Sequence, residues 1–186
     1  MVEGKTVRVY IKGEYIMDRY LLELSLKNGL GKPSISLYLR GCDKKTKCKG
    51  CHNHEYQEKS MDDYDINTIK TSTLKLLEKS KSFFPNISLS ILGGEPLTEY
   101  NRDITYEISK YIKEQCPNIP IILYSWRDLC EIPIKYVEHI DYGVLGSYDE
   151  DLHVDNILPA STNQYIYDFK NQCKLEPIKL KGEELI

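Results

Sequence analysis

The sequence predicts an α/β fold with a mostly parallel sheet, and three observations lead to this prediction. Short runs of alternating or continuous apolar residues, typical of strands, alternate along the chain with longer stretches of helical periodicity. The order strand, helix, strand, helix is that of βα units on a parallel sheet. The length of 186 residues suits one domain with a sizeable core.

Five segments carry the strand pattern. The segment 34–40 alternates most clearly between serine or tyrosine and aliphatic residues, and the segment 18–27 is compatible with a short helix or with a further strand. The predicted strands cover residues 7–11, 34–40, 87–92, 119–124 and 142–146.

Apolar residues recur three or four positions apart in the segments 67–79 and 103–115, which predicts two amphipathic helices packed on the sheet. Residues 133–139 are also predicted to be helical. We divide the chain into an N-terminal extension packed on the core, a main domain, and a polar, loosely held tail. These parts cover residues 1–33, 34–173 and 174–186.

The composition excludes several classes of protein. A net charge of −3 provides no basic field for nucleic acid, and no run of 18 apolar residues predicts a membrane span. The N-terminus lacks the apolar region of a secretory signal, so we expect a cytoplasmic protein with reduced cysteines. Three scattered cysteines, Cys116, Cys130 and Cys173, are interpreted as small buried apolar residues.

The other three cysteines lie close together, with the spacing C-x5-C-x2-C: Cys42, Cys48 and Cys51. A structural zinc or a simple iron–sulfur site has four protein ligands. Three thiolates on a four-iron cluster leave one iron free to bind a small molecule, which favours chemistry over structure. The alternative is a zinc site completed by His52, His54 or a distant cysteine.

A second motif, Gly93-Gly94-Glu95-Pro96, follows the predicted strand 87–92. Two glycines allow a ligand to approach the backbone closely, and the proline stiffens the exit from the turn. Parallel sheets place their sites at the carboxyl ends of the strands. We therefore expect this motif and the cysteine loop to share one rim with Tyr124-Ser125-Trp126 and the segment 146–149.

With these motifs the chain resembles the radical S-adenosylmethionine superfamily. Within it, the chain is most similar to the activating enzymes of glycyl-radical enzymes, above all those of anaerobic ribonucleoside-triphosphate reductase. The resemblance covers roughly residues 34–168. It rests on Leu37 to Cys42, Cys48 to Asn53, Leu89 to Leu97, Ile122 to Trp126, Asp141 to Asp149 and Ser161 to Gln164.

The resemblance implies a partial, open βα barrel that binds a [4Fe–4S] cluster and S-adenosylmethionine. The reduced cluster would cleave S-adenosylmethionine to a 5′-deoxyadenosyl radical, which takes hydrogen from a glycine of a large reductase subunit. A flavodoxin or a ferredoxin would supply the electron.

The resemblance also implies a role for nine residues. Three cysteines would bind the cluster: Cys42, Cys48 and Cys51. The methionine amine of the cofactor would be held by Gly93, Gly94 and Glu95. Asn53 would lie beside the cluster or the cofactor, and the adenosyl pocket would be lined by Ser125 and Trp126.

The cysteine spacing departs from the usual C-x3-C-x2-C of the family by two residues, within the lysine-rich insert Lys44-Lys45-Thr46-Lys47. A loop lengthened by two residues can still close on the same cluster at small entropic cost. Two alternatives remain open from the sequence. One is a radical enzyme acting on a small molecule or peptide, similar to 7-carboxy-7-deazaguanine synthase, and the other is a non-catalytic zinc-binding module.

Overall fold

Four parallel strands form the middle of a seven-stranded sheet and place their carboxyl ends at one rim. The structure is a computed structural model, and it describes residues 20–60 and 65–180. The strands of this sheet lie in the order β1-β2-β3-β4-β5-β7-β8. Their bounds are Tyr20–Ser25, Ser34–Leu39, Ser88–Gly93, Ile121–Ser125, Tyr142–Leu145, Tyr165–Asp168 and Cys173–Leu175.

The parallel pairs are β2 with β3, β3 with β4, and β4 with β5, whereas β1, β7 and β8 join the sheet as antiparallel strands. The predicted α/β architecture with a largely parallel central sheet is therefore confirmed. Two short strands, β6 (Ile157–Leu158) and β9 (Ile178–Lys179), pair separately. None of the helices within the described ranges is long and apolar enough to span a membrane.

Two α-helices in the described part of the chain connect the parallel strands. Helix α1 (Ile66–Lys81) lies between β2 and β3, and helix α2 (Arg102–Gln115) lies between β3 and β4. The Asp65 side chain begins α1 by accepting hydrogen bonds from the backbone N–H groups of Asn67 and Thr68. Both helices turn an aliphatic face toward the sheet and a charged face toward water.

Successive side chains of each strand point to opposite sides of the sheet, and the two faces therefore differ in composition. The fully buried aliphatic residues of β2, β3 and β4 pack with both helices into the main core, which includes Ile35, Leu37, Leu39, Leu89, Ile91, Ile121 and Leu123. The opposite face is more polar over β2 and β3, where serines occupy the alternate positions. A smaller apolar cluster under β4, β5 and β7 centres on Ile122, Val144 and Ile166.

Of the helix and the strand that the sequence left open for the segment 18–27, the structure has the strand, because each of residues 20–25 pairs with a residue of β2, from Tyr20 opposite Leu39 to Ser25 opposite Ser34. Elsewhere the structure departs from the sequence prediction. The helix predicted at 133–139 is a short 3₁₀ turn, Ile134–Val137, that starts directly after Pro133. Within the predicted tail, β9 pairs with β6, so residues 178 and 179 are held by a strand pair. The strand predicted at 7–11 lies outside the described residues.

Two of the three scattered cysteines were wrongly predicted to be buried. Cys130 lies exposed in a 3₁₀ turn, and Cys173 is exposed at the start of the edge strand β8, whereas Cys116 is half-buried. Turns and edge strands leave side chains accessible even when the residue type is apolar. All six cysteines lie within the described residues, and none of them forms a disulfide there.

The packing of β2 predicts a large loss of stability for Leu37→Ala. The Leu37 side chain is fully buried against both helices, so the free energy of unfolding should fall by about 2–5 kcal/mol. The matched control is Phe83→Ala, because Phe83 is 74% exposed and its loss should cost less than about 0.5 kcal/mol. Urea titration of both variants measures the difference, and equal losses would contradict the assignment of the core.

Candidate functional site: a cysteine loop beside a cavity at the strand ends

The rim at the carboxyl ends of the parallel strands carries all the residues that the sequence singled out. The cysteine loop follows β2, Gly93 ends β3 and Gly94 follows it, and Ser125 and Trp126 lie at the end of β4. The register brings these ends level, with Leu39 opposite Gly93 and Ser125 opposite Leu145.

A cavity of about 380 Å³ opens at this rim. Its volume lies within the range of about 300–1,000 Å³ that is usual for small-molecule sites. Seven of the nine predicted site residues line it: Cys48, Cys51, Asn53, Gly93, Gly94, Ser125 and Trp126. Cys42 and Glu95 do not line it, since Cys42 lies on the adjoining loop and the Glu95 side chain is fully buried.

Close backbone contacts hold the cysteine loop against the end of β3. The N–H of Glu95 donates to the carbonyl of Gly41 at 2.6 Å, and the N–H of Gly94 donates to the carbonyl of Leu39 at 2.8 Å. A Cβ atom at position 94 would lie 2.1 Å from the Gly41 oxygen. Only glycine allows this approach, which explains the second glycine of the motif.

The first cysteine is anchored on the other side of the loop. The N–H of Gly41 donates to the carbonyl of Tyr56 at 2.7 Å, and the N–H of Cys42 donates to the carbonyl of Gln57 at 2.9 Å. Asn101, just before α2, donates from its amide nitrogen to the carbonyls of Arg40 and Glu95. These bonds fix the backbone on both sides of the contact between β2 and β3.

The electrostatic environment of the thiols is mixed. Burial is the largest effect and raises the pKa of Cys42 and of Cys48. The backbone N–H of Lys44 lowers the pKa of Cys42, and the charge of Lys44 and the backbone N–H of Tyr148 lower the pKa of Cys48. N–H groups directed at sulfur stabilise thiolates and are one of the influences that set the potential of iron–sulfur clusters.

Three free, half-buried thiols on one loop are a donor set that fits an iron–sulfur cluster. Each thiolate of such a cluster binds a different iron, so the sulfurs need not meet at one point. Among the residues at 20–60 and 65–180, no three His, Cys, Asp or Glu side chains are grouped as ligands of one metal ion.

The carboxylate of Glu95 is the centre of a hydrogen-bond network behind the cavity wall. It accepts from the N–H of Leu97 at 2.9 Å and from the N–H of Trp126 at 3.1 Å, and the Ser125 hydroxyl lies 2.9 Å from both oxygens. Burial nevertheless dominates and raises the pKa of Glu95 to about 7. This side chain thus ties the end of β4 to the end of β3.

Arg127 extends the network to the cysteine loop. Its guanidinium lies 3.9 Å from the Glu95 carboxylate and forms an ion pair with Asp43, next to the first cysteine. The indole N–H of Trp126 also donates to Asp43, at 3.3 Å, and the guanidinium lies over the indole ring. The ends of β2, β3 and β4 are therefore linked through one partly buried cation.

The loop after β5 closes the rim. The ring of Tyr148 packs on His52, with 4.5 Å between the ring centroids, beside the last cysteine of the loop. The segment 161–164 holds this loop, because Gln164 donates to the carbonyl of Gly146 at 2.8 Å and Asn163 donates to that of Ser147 at 2.7 Å. The conformation of the segment 146–149 thus depends on the polar residues that follow it in sequence.

The cavity floor contains residues that the sequence analysis missed. The side-chain amide of Asn28 donates to the hydroxyls of Ser36 and Tyr38. The backbone carbonyl of Asn28 accepts from the hydroxyls of Ser90 and Tyr124, both at 2.8 Å. Asn28, Tyr38 and Tyr124 line the cavity. The Asn28-Gly29 pair indicates a turn from sequence alone, but its packing under the strand ends depends on tertiary structure.

The contact between the strand ends predicts that Gly94→Ala is destabilising. All three of the nearest atoms that a Cβ would meet are backbone atoms of Gly41 and Tyr56, which cannot move independently. Gly143→Ala is the matched control, because a Cβ there meets only the side chains of Leu145 and Phe169. Thermal or urea unfolding should show a loss at least about 2 kcal/mol larger for the first variant, and similar losses would contradict the contact.

The environment of Glu95 predicts a pH dependence of stability. Its pKa is raised to about 7 in the folded protein, against about 4.3 in an unfolded chain, so the folded state holds more protons between these values. Protonated Glu95 therefore contributes fully to the free energy of unfolding below about pH 4.3, and this contribution is lost as the pH rises through about 7. Glu95→Gln removes the titration.

Wild type should therefore lose on the order of 2 kcal/mol relative to Glu95→Gln between pH 5 and 8, measured by urea titration at each pH. Glu107→Gln is the control, because the hydrogen bond from Lys70 lowers the pKa of Glu107, so this group titrates below the measured range and its variant should run parallel to wild type between pH 5 and 8. Parallel stability curves for wild type and Glu95→Gln would refute the raised pKa.

Comparisons with known proteins agree with this site. Residues 27–167 match the family described as 4Fe-4S single cluster domain. No solved structure gives a significant match.

Three curated relatives are each named anaerobic ribonucleoside-triphosphate reductase-activating protein. The protein of Enterobacteria phage T4 is 26% identical over 72% of this chain and 82% of its own length. The protein of Vibrio cholerae is 26% identical over 78% of this chain and 94% of its own, and that of Pasteurella multocida is 24% identical over 76% and 90%. The resemblance to activating proteins is confirmed, and this chain belongs to the family of 4Fe-4S single cluster domains.

Proposed function

We propose that this chain activates an anaerobic ribonucleoside-triphosphate reductase by radical S-adenosylmethionine chemistry. The observation that carries the proposal is the cysteine loop itself. Its three free thiols adjoin a cavity whose wall is Gly93 and Gly94. The names of the three relatives support the same activity and the same partner.

In this proposal Cys42, Cys48 and Cys51 hold a [4Fe–4S] cluster and leave one iron open toward the cavity. Cys48 and Cys51 line the cavity, which supports an open iron on that side. When bound, the cluster and S-adenosylmethionine together supply an electron and an organic radical that removes hydrogen from a glycine of the reductase.

The residues of the cavity wall bind and orient the cofactor. Gly93 and Gly94 present bare backbone to its methionine end, Asn53 lies at the cysteine side, and Ser125 with Trp126 forms the wall at the end of β4. Glu95 belongs to the site through its carboxylate, which fixes Ser125 and the Trp126 N–H from behind. We therefore assign Glu95 a positioning role within the cofactor site.

The architecture supports access by a protein substrate. The four parallel strands follow one another in sequence order, and helices α1 and α2 pack on one face, as in a partial βα barrel. A partial barrel leaves an open side through which a glycine loop of the reductase can reach the cavity. A flavodoxin or ferredoxin delivers the electron, and a reduced cytoplasm suits both the free thiols and the cluster.

Serine substitutions of the cysteines test the proposal. Cys42→Ser, Cys48→Ser and Cys51→Ser should each lower the iron content, measured after anaerobic reconstitution, and reduce cleavage of S-adenosylmethionine by at least about 100-fold, because losing a partner of a metal ligand alone costs about 10–100-fold. Cys116→Ser, Cys130→Ser and Cys173→Ser are matched controls that keep both near wild type.

The partner is tested separately by electron paramagnetic resonance of the mixture with the reductase. A glycyl radical on the reductase, absent with the first three variants, is the expected result. Cleavage of S-adenosylmethionine without a radical on the reductase would overturn the activase assignment and favour a small-molecule or peptide substrate. One zinc and no iron would overturn the cluster itself.

A further inference from the structure

The lysine insert, defined as Lys44, Lys45 and Lys47, concentrates positive charge directly over the cysteine loop. The whole chain has a net charge of −3, so this segment differs in sign from the protein as a whole. Lys45 and Lys47 are exposed and Lys44 is half-buried. The insert lies between Cys42 and Cys48 and therefore next to the proposed cluster.

Two of the three ammonium groups of the insert bind neutral acceptors. Lys47 donates to the carbonyl of Cys42 at 2.5 Å, and Lys44 donates to the carbonyl of Thr46 at 2.8 Å. Across residues 20–60 and 65–180, no carboxylate forms an ion pair with any of the three lysines. Their charge is thus held close to the loop without being neutralised.

The carboxylates nearest to the insert are engaged elsewhere or lie at its edge. Asp43 is held by Arg127 and Trp126. On the β5 side, Asp151 pairs with Lys49 at 2.6 Å, and Glu150 packs against Gly50. The surface around the cysteine loop is therefore divided into a positive part over the insert and an acidic part beside Gly50.

We propose that the lysine insert is the docking surface for an acidic one-electron carrier protein that reduces the cluster. Opposite charge steers two proteins into encounter and fixes their orientation, and the acidic part beside Gly50 repels the same carrier from the β5 side. This inference rests on the proposed cluster. Docking over the insert brings the carrier to the segment that joins two of the three proposed ligands.

The step is an outer-sphere electron transfer. One electron leaves the reduced cofactor of the carrier and enters the oxidised cluster, and no covalent bond forms or breaks. The insert contributes to the association of the two proteins and takes no part in the chemistry that follows.

The test compares two triple variants of the reconstituted protein. Lys44→Gln, Lys45→Gln and Lys47→Gln together remove the insert charge, whereas Lys75→Gln, Lys79→Gln and Lys81→Gln together remove the same charge from exposed positions on α1. Stopped-flow absorbance follows cluster reduction by flavodoxin, an acidic carrier, and by photoreduced deazaflavin, a small donor that needs no docking surface.

For the insert variant, the second-order rate constant with flavodoxin should fall about tenfold at low salt, and its dependence on ionic strength should flatten. The rate with deazaflavin should fall much less, because it reports only the effect of the Lys44 charge on Cys48, while the iron content should stay at the wild-type value and the α1 variant should match wild type with both donors.

An unchanged rate with flavodoxin at full iron content would overturn the docking surface while leaving the proposed function intact. An equal fall with both donors would also overturn it, because the lysines would then act on the cluster. A normal rate with flavodoxin combined with weaker binding of the reductase would assign the insert to the other partner. Failure of wild type to bind iron would instead overturn the proposed function.

Discussion

The site depends on one backbone contact, in which the ends of β2 and β3 touch without any intervening side chain. The N–H of Glu95 donates to the carbonyl of Gly41 at 2.6 Å, and this distance is possible because position 94 has no Cβ. The cysteine loop begins at the residue after Gly41. A local steric requirement of one glycine therefore decides where the thiols lie relative to the cavity.

The network around Glu95 extends this contact to the third strand end. A fully buried carboxylate is costly unless hydrogen-bond donors surround it, and here the donors come from Leu97, Ser125 and Trp126. Arg127 then connects the same carboxylate to Asp43 on the cysteine loop. Ser125 and Trp126, which line the cavity, are thus held by the carboxylate of Glu95, which does not line it. Supporting hydrogen bonds of this kind fix the orientation of the residues at a site.

The sequence predicted the parallel strands and the rim well because both depend on local patterns. Short windows of the sequence show the alternation of serine and aliphatic residues in β2 and β3 and the glycine pair at the end of β3, and strand ends in parallel sheets meet by topology. Asn28 and Asn101 were missed because their roles come from partners up to 96 residues away in the chain. The assignment of Glu95 to the cofactor stays a prediction, and its fully buried side chain lies behind the cavity wall, a direction that the motif does not indicate.

The two extra residues in the cysteine loop are compatible with the site because Cys42 and Cys48 each have an anchor outside the segment between them, in addition to their contacts with that segment. The backbone of Cys42 is bound to Gln57, and the thiol of Cys48 is oriented by the N–H of Tyr148 after β5. Each anchor lies outside the insert, so lengthening the insert displaces solvent-exposed residues first, at small entropic cost. The segment that departs from the family spacing is thereby free to change its surface charge while the proposed ligands keep their places.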